Sequence, residues 1–229
     1  MTALSAADEA FRRELEERKK NDPMVGVRIG GLEALDVLMR RMQTERGVHV
    51  ESVLAALGAL AGLACLHGAL DERAAGQGSL IVINTDSGKF YSGDSINKPL
   101  AENKYSVWTI ASGGAKRAGV KEMPDVGEMF AHIAGSLGGP DFGKARVPDT
   151  HRPGDDIATY TAILWPVILP TLNFFCDHKA EWPLLLGYGL QELIVKTKDI
   201  IPPDIALRLA METAIASSKM DPAPHQTVQ

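Results

Sequence analysis

An uncharged run, "SVLAALGALAGLACLHGAL" at residues 52–70, most constrains what this chain can fold into. At about 1.5 Å of rise per residue, a helix of this length approaches the thickness of a lipid bilayer. Small residues share one narrow sector of that helix and bulkier ones lie opposite: Ala55, Gly58, Ala59 and Gly62 against Val53, Leu57, Leu60 and Ala64. One side of the helix is therefore flat enough for another backbone to approach closely.

Such a flat side suits either a membrane helix pair or the central helix of a soluble core. A second membrane span is not convincing, because the apolar segment "TYTAILWPVILPTLNFF" contains Pro166 and Pro170, and each proline removes an amide donor. We therefore predict a buried central helix over about residues 50–71 and a kinked, buried helix around the two prolines. A membrane-associated helical protein is the third alternative for the whole chain.

The remaining patterns predict an α+β fold that is predominantly helical. Helical spacing predicts helices from Ser5 to about Lys20, from Leu32 to about Arg46 and from Pro124 onward, and a C-terminal helix pair over about 183–198 and 203–218. A small antiparallel β meander is predicted over about residues 79–112. Its strands are "SLIVIN", expected to be buried on both faces, then "KFYS" after the turn "TDSGK", and "YSVWTIAS". Residues 1–218 are predicted to form one globular domain, and 219–229 a disordered tail.

Composition limits the classes of function. The chain has 229 residues, of which 45% are hydrophobic and 23% charged, as expected for a globular protein. Its net charge of −5 gives no general attraction to nucleic acid or to anionic lipid. Two cysteines that lie far apart, Cys65 and Cys176, form no disulfide framework or zinc pair, so we expect a cytoplasmic protein. The N-terminal segment has no apolar core, and no signal peptide is expected.

Two polar loops, residues 84–104 and 138–155, are the candidate ligand site. Their donors, acceptors and charges of both signs could hold a small polar ligand if the fold brings the loops together. The candidate ligand-binding residues are Asp94, Ser95, Asn97, Lys98, Trp108, Arg146 and His151. In the competing interpretation the polar groups serve their own backbone as Asx turns, and the loops are merely solvated.

Short motifs raise two chemical alternatives. "GDSI" at 93–96 resembles the nucleophile segment of GDSL-type hydrolases, although the Asn-containing block and terminal DxxH of that family are not found. Glu128 and His132 lie one helical turn apart and are weak metal candidates, because a polar helix face accounts for them more simply. "SGKF" does not fit a phosphate-binding loop, which needs Ser or Thr after the lysine.

The sequence therefore predicts a soluble, self-associating protein, a homo-oligomer such as a homodimer. It is expected to bind a small polar ligand or a partner without chemistry of its own, and no cofactor and no nucleic-acid or membrane partner is expected. The alternative is an enzyme, either a hydrolase or a metal-dependent one, that uses loop carboxylates and histidines.

Overall fold

The computed structural model describes residues 5–222. The helices are α1 (Ala6–Lys19), α2 (Val25–Arg41), α3 (Val50–Ala74), α4 (Asp94–Asn97), α5 (Val107–Arg117), α6 (Val126–Gly135), α7 (Ile157–Phe175), α8 (Trp182–Lys196) and α9 (Pro203–Ser217). Strands β1 (Ile81–Thr85) and β2 (Gly88–Ser92) pair antiparallel. Shorter helical turns are Lys98–Glu102, Asp149–His151 and Lys179–Glu181. This arrangement confirms the predicted α+β, predominantly helical fold class.

Helix α3 is the predicted central helix, and every residue from Val50 to Leu66 is buried. Its flat side packs against α9. A methyl group at Gly58 would overlap the carbonyl oxygen of Ala210, and one at Gly62 would overlap the carbonyl oxygen of Ala214. Helices α7 and α8 also pack against α3, so protein covers the uncharged run.

Helix α2 lies against α7 and α8 and differs from its prediction. It runs from Val25 to Arg41, and Leu32, predicted to face the core, is 46% exposed. Helix α2 approaches α8 closely through a glycine rather than through a leucine. A Cβ atom added at Gly31 would lie only 2.7 Å from the carbonyl oxygen of Leu185 on α8. This close approach of two backbones turns Leu32 toward solvent.

The predicted meander is a two-stranded hairpin, and its first strand is mostly exposed rather than buried on both faces. The hairpin is held mainly through β2. The ring of Phe90 packs edge-on against that of Phe142 at 5.2 Å, and the amide of Tyr91 donates to the carbonyl oxygen of Lys219 at 2.9 Å. Lys219 belongs to the segment predicted as a tail, and its side chain is buried here. Residues 223–229 of that segment lie outside the described residues.

The predicted third strand is wrong, because "VWTIAS" forms the start of helix α5. Ser106 caps this helix: its hydroxyl accepts the amide of Thr109 at 3.2 Å, and the Thr109 hydroxyl accepts the amide of Ser106 at 2.9 Å. Val107 and Ile110 are buried, and a Cβ at Gly114 would lie 2.6 Å from the carbonyl oxygen of Gln191 on α8. Capping and packing thus outweigh the strand propensity of β-branched and aromatic residues.

Helix α7, predicted as a kinked, buried helix, is buried on one face only. Tyr160, Leu164 and Ile168 face the core, whereas Ile163 is 51% exposed. Pro166 and Pro170 also lie on the outward, exposed side of the helix.

Within residues 5–222, α3 and α7 are long and apolar enough to cross a membrane by length and composition. In the most apolar window of each helix, 83% of the α3 residues but only 33% of the α7 residues are buried inside the protein. Core helices of soluble proteins meet the same criterion, so it does not distinguish the two classes.

Candidate functional site

A cleft of about 800 Å³ opens beside the C-terminal half of α3. Its walls come from α3, from the connection between α3 and β1, from α4 with the helical turn after it, and from the segment that joins α7 to α8. We call it the polar cleft. Its charged and hydrogen-bonding residues are Asp71, Glu72, Ser79, Asp94, Ser95, Lys98, Asn103, Tyr105, Asp177, His178 and Lys179.

The stretch after β2, predicted as a loop, forms one wall of the polar cleft as helix α4 and a π-helical turn. Gly93 has a φ of 136°, and a side chain there would overlap the carbonyl oxygen of Ser79. The hydroxyl of Ser95 accepts the amide of Ser79 at 2.9 Å, and the amide of Ser95 donates to the Ser79 carbonyl oxygen at 3.3 Å. The Ser95 side chain therefore fixes this wall against the start of the hairpin.

Three of the predicted ligand-binding residues line the polar cleft: Asp94, Ser95 and Lys98. Asn97 does not line it, and its side-chain Oδ1 is buried without a hydrogen-bond partner among residues 5–222. Trp108 is partly buried in the core as part of α5, on a helix rather than the predicted strand.

The other two predicted residues lie elsewhere and hold the segment 138–155 onto the helices. The Arg146 guanidinium pairs with Glu212 on α9, with Nη2 at 2.8 Å from Oε1. His151 Nδ1 lies 2.9 Å from Oε1 of Glu51, at the start of α3. No residue of 138–155 lines the polar cleft, so the two loops do not share it. The segment that joins α7 to α8 lines the polar cleft instead.

Sequence reasoning missed the acidic residues of α3 and most of the α7–α8 connection. The sequence analysis selected neither Asp71 and Glu72 nor "DHK" at 177–179 as ligand-binding residues. The polar residues at 177–179 come directly after the apolar segment that Pro166 and Pro170 interrupt. That position is the signal in the sequence that could have identified the α7–α8 connection.

Most charges of the polar cleft are paired. Lys179 Nζ lies 2.7 Å from Asp71, Lys98 Nζ 3.6 Å from Asp94, and Lys19 Nζ of α1 2.7 Å from Asp177. Burial lowers the pKa of Lys19, but hydrogen bonds to Asp177 and Glu16 outweigh it and raise the pKa above its ordinary value.

Cysteine chemistry is disfavoured in the polar cleft. Burial raises the pKa of Cys65, which lies at its base, and raises the pKa of Cys176 to about 12. Both thiols are therefore protonated at neutral pH and are poor nucleophiles.

The weak metal candidates lie on α6, away from the polar cleft. His132 Nε2 is 3.2 Å from the carbonyl oxygen of Lys144 and donates to it, and the Glu128 side chain is exposed. Across residues 5–222, no three His, Cys, Asp or Glu side chains are grouped so as to hold a metal ion.

The fold and the cleft together define a mainly helical α+β protein with a polar, charge-lined cleft. Comparison of the chain with protein-family models, with curated proteins and with solved structures found no match.

Proposed function

We propose that this protein is cytoplasmic, and that its polar cleft is a non-catalytic binding site for a small polar ligand that carries a protonated amine. The supporting observation is the excess of carboxylates there. Four acidic side chains line the cleft, and Glu72 forms no ion pair within the described part of the chain. A ligand amine would supply the cation that Glu72 lacks.

The size and rim of the polar cleft support the same ligand class. A volume of about 800 Å³ lies in the range of small-molecule sites, about 300–1,000 Å³. Tyr105 at the rim is 54% exposed. The ammonium of Lys104 lies over its ring, 5.4 Å from the centroid, so a ligand amine would meet the opposite face of the ring. Asn103 and Ser79 add hydrogen-bonding groups for the rest of the ligand.

We also propose that two copies associate through the outward face of α7. The helix carries no charged residue along Ile157–Phe175, and its exposed side includes Ala162, Ile163 and Pro166. An uncharged face meets its own copy without burying like charges, which favours a second copy of the chain as the partner.

Thermal unfolding with three matched probes tests the proposed ligand class. Diaminobutane, butanediol and succinate have the same carbon skeleton length but positive, neutral and negative ends. At about ten times the dissociation constant, a ligand stabilises the folded state by about 1.4 kcal/mol, or about 3–6 °C in Tm for a chain of this size. We expect diaminobutane alone to raise Tm.

Matched variants test whether the rise in Tm caused by diaminobutane depends on the polar cleft. Glu72→Gln should remove the shift by diaminobutane, whereas Glu45→Gln, an exposed acidic residue outside the polar cleft, should leave it unchanged. Stabilisation by succinate instead, or an equal shift in the Glu72 variant, would refute an amine site.

A further inference from the structure

A second cavity, of about 300 Å³, lies at the opposite end of α3 between the end of α2 and the start of α7. His49 and Ser52, at the first turn of α3, line it together with Tyr160. The Ser52 hydroxyl lies 2.8 Å from Nδ1 of His49. Nε2 of the same ring lies 3.4 Å from Oε2 of Glu51. A hydroxyl, an imidazole and a carboxylate are thus connected in sequence beside a cavity.

The hydrogen bonds around Ser52 determine where its proton points. Its Oγ accepts the amide of Gly154 at 2.9 Å. The Tyr160 hydroxyl accepts the amide of Asp155 at 3.0 Å and lines the same cavity as Ser52. A serine oxygen has two acceptor positions and one proton. In the tautomer of His49 whose Nδ1 carries no proton, Ser52 donates its proton to that nitrogen.

This pattern prepares the serine oxygen for attack. The amide of Gly154 stabilises the negative charge that develops on Oγ as the proton leaves, and the base is already within hydrogen-bond distance. The tautomer with an acceptor at Nδ1 carries its proton on Nε2, which faces Glu51. The carboxylate therefore orients the ring and stabilises its charged form.

Glu51 is held ionised for that role. Burial raises its pKa, but the hydrogen bond from His151 and the neighbouring His49 outweigh burial and lower the pKa below its ordinary value. His151 Nδ1 donates to Oε1 at 2.9 Å, which leaves Oε2 for His49.

A purely structural reading explains only part of the cluster. Ser52 alone could tie the loop at Gly154 to α3, as buried serines often do. That reading does not need His49, whose side chain is 55% exposed at the cavity, or a carboxylate behind it. The apolar walls, Met42, Ile163 and Leu164, fit a small acyl group.

We propose that Ser52, His49 and Glu51 form an acyl-transfer site for small, mainly apolar esters, separate from the polar cleft. Ser52 Oγ attacks the ester carbonyl carbon while its proton passes to His49 Nδ1. The bond from that carbon to the alkoxy oxygen then breaks, and the alcohol leaves with the proton from His49. Water attacks the acyl-serine, His49 takes its proton and returns it to Ser52 Oγ, and the carboxylic acid is released.

A fluorophosphonate, which reacts covalently with activated serines, tests this site in the full-length chain. We expect it to label the peptide that contains Ser52, and expect Ser52→Ala to abolish labelling. Ser106→Ala is the matched control, because Ser106 is a buried helix-capping serine of α5 outside the cavity. Its labelling should equal that of the wild type.

His49→Ala provides the independent measurement, because its exposed ring can be removed without opening the core. Loss of a general base should slow both labelling and hydrolysis of nitrophenyl butyrate by about a hundredfold. Labelling that spares Ser52, or a His49→Ala rate equal to the wild type, would overturn the proposal.

Discussion

The Glu212 carboxylate is the most consequential single side chain outside the two cavities. It is 1% exposed on α9 and accepts the backbone amide of Arg146 at 2.6 Å and its Nε at 2.9 Å. Arg208 approaches it at 3.5 Å. A buried carboxylate without its cation is costly, so Arg146 stabilises the attachment of residues 138–155 to the core.

Replacing Arg146 by Met should lower the free energy of unfolding by about 2–4 kcal/mol, because it leaves Glu212 with one distant cation. Chemical denaturation measures this change. Arg152→Met is the matched control in the same segment: its pair with Asp149 is 69% and 85% exposed, and such pairs contribute less than about 1 kcal/mol. Equal effects of the two substitutions would contradict the role given to Arg146.

At the scale of elements, sequence reasoning succeeded where a long periodic pattern is buried. The small-residue sector of α3 predicted a close backbone contact, and α9 supplies it. It failed for α5, because "VWTIAS" has strand-like residues and the deciding signals were a short Ser-x-x-Thr cap and a glycine packed on α8. Local propensity is a weak guide where a cap and tertiary contacts oppose it.

Two glycines of α3 test the close contact between α3 and α9, because one lies in that contact and the other does not. We expect Gly62→Ala to lower the free energy of unfolding by about 1–3 kcal/mol, because its methyl group overlaps the Ala214 carbonyl oxygen. Gly68→Ala, with no atom within 4 Å of the added carbon, should instead raise it by up to about 1 kcal/mol. A Gly62→Ala variant that is stabilised as much as Gly68→Ala, measured by denaturant unfolding, would mean that α9 does not touch the flat side.

At the scale of the whole molecule, the site was harder to predict than the fold. Asp94, Ser95 and Lys98 could be selected from composition because they follow a strand in a polar stretch. Their partners across the polar cleft could not, since Asp177 and Lys179 are distant in sequence and come together only through the packing of α7 and α8 around α3. The same packing leaves the uncharged outer face of α7 exposed.

Light scattering after size exclusion tests the proposed homodimer. We expect the wild type to have about twice the mass of the 24.6 kDa chain. Ala162→Arg should yield monomers because it places a charge in the middle of the α7 face, whereas Ala75→Arg, exposed at the end of α3, should leave the dimer intact. A monomeric wild type would contradict the proposed homodimer.

Amide chemical-shift mapping by NMR, with and without diaminobutane, tests the central claim most directly, because it locates the ligand without assuming which residue binds it. The account predicts shifts concentrated in the walls of the polar cleft, residues 64–79, 94–105 and 177–184, with little change around Ser52 at the other end of α3. Shifts that are absent, or that lie mainly outside those three segments, would contradict it.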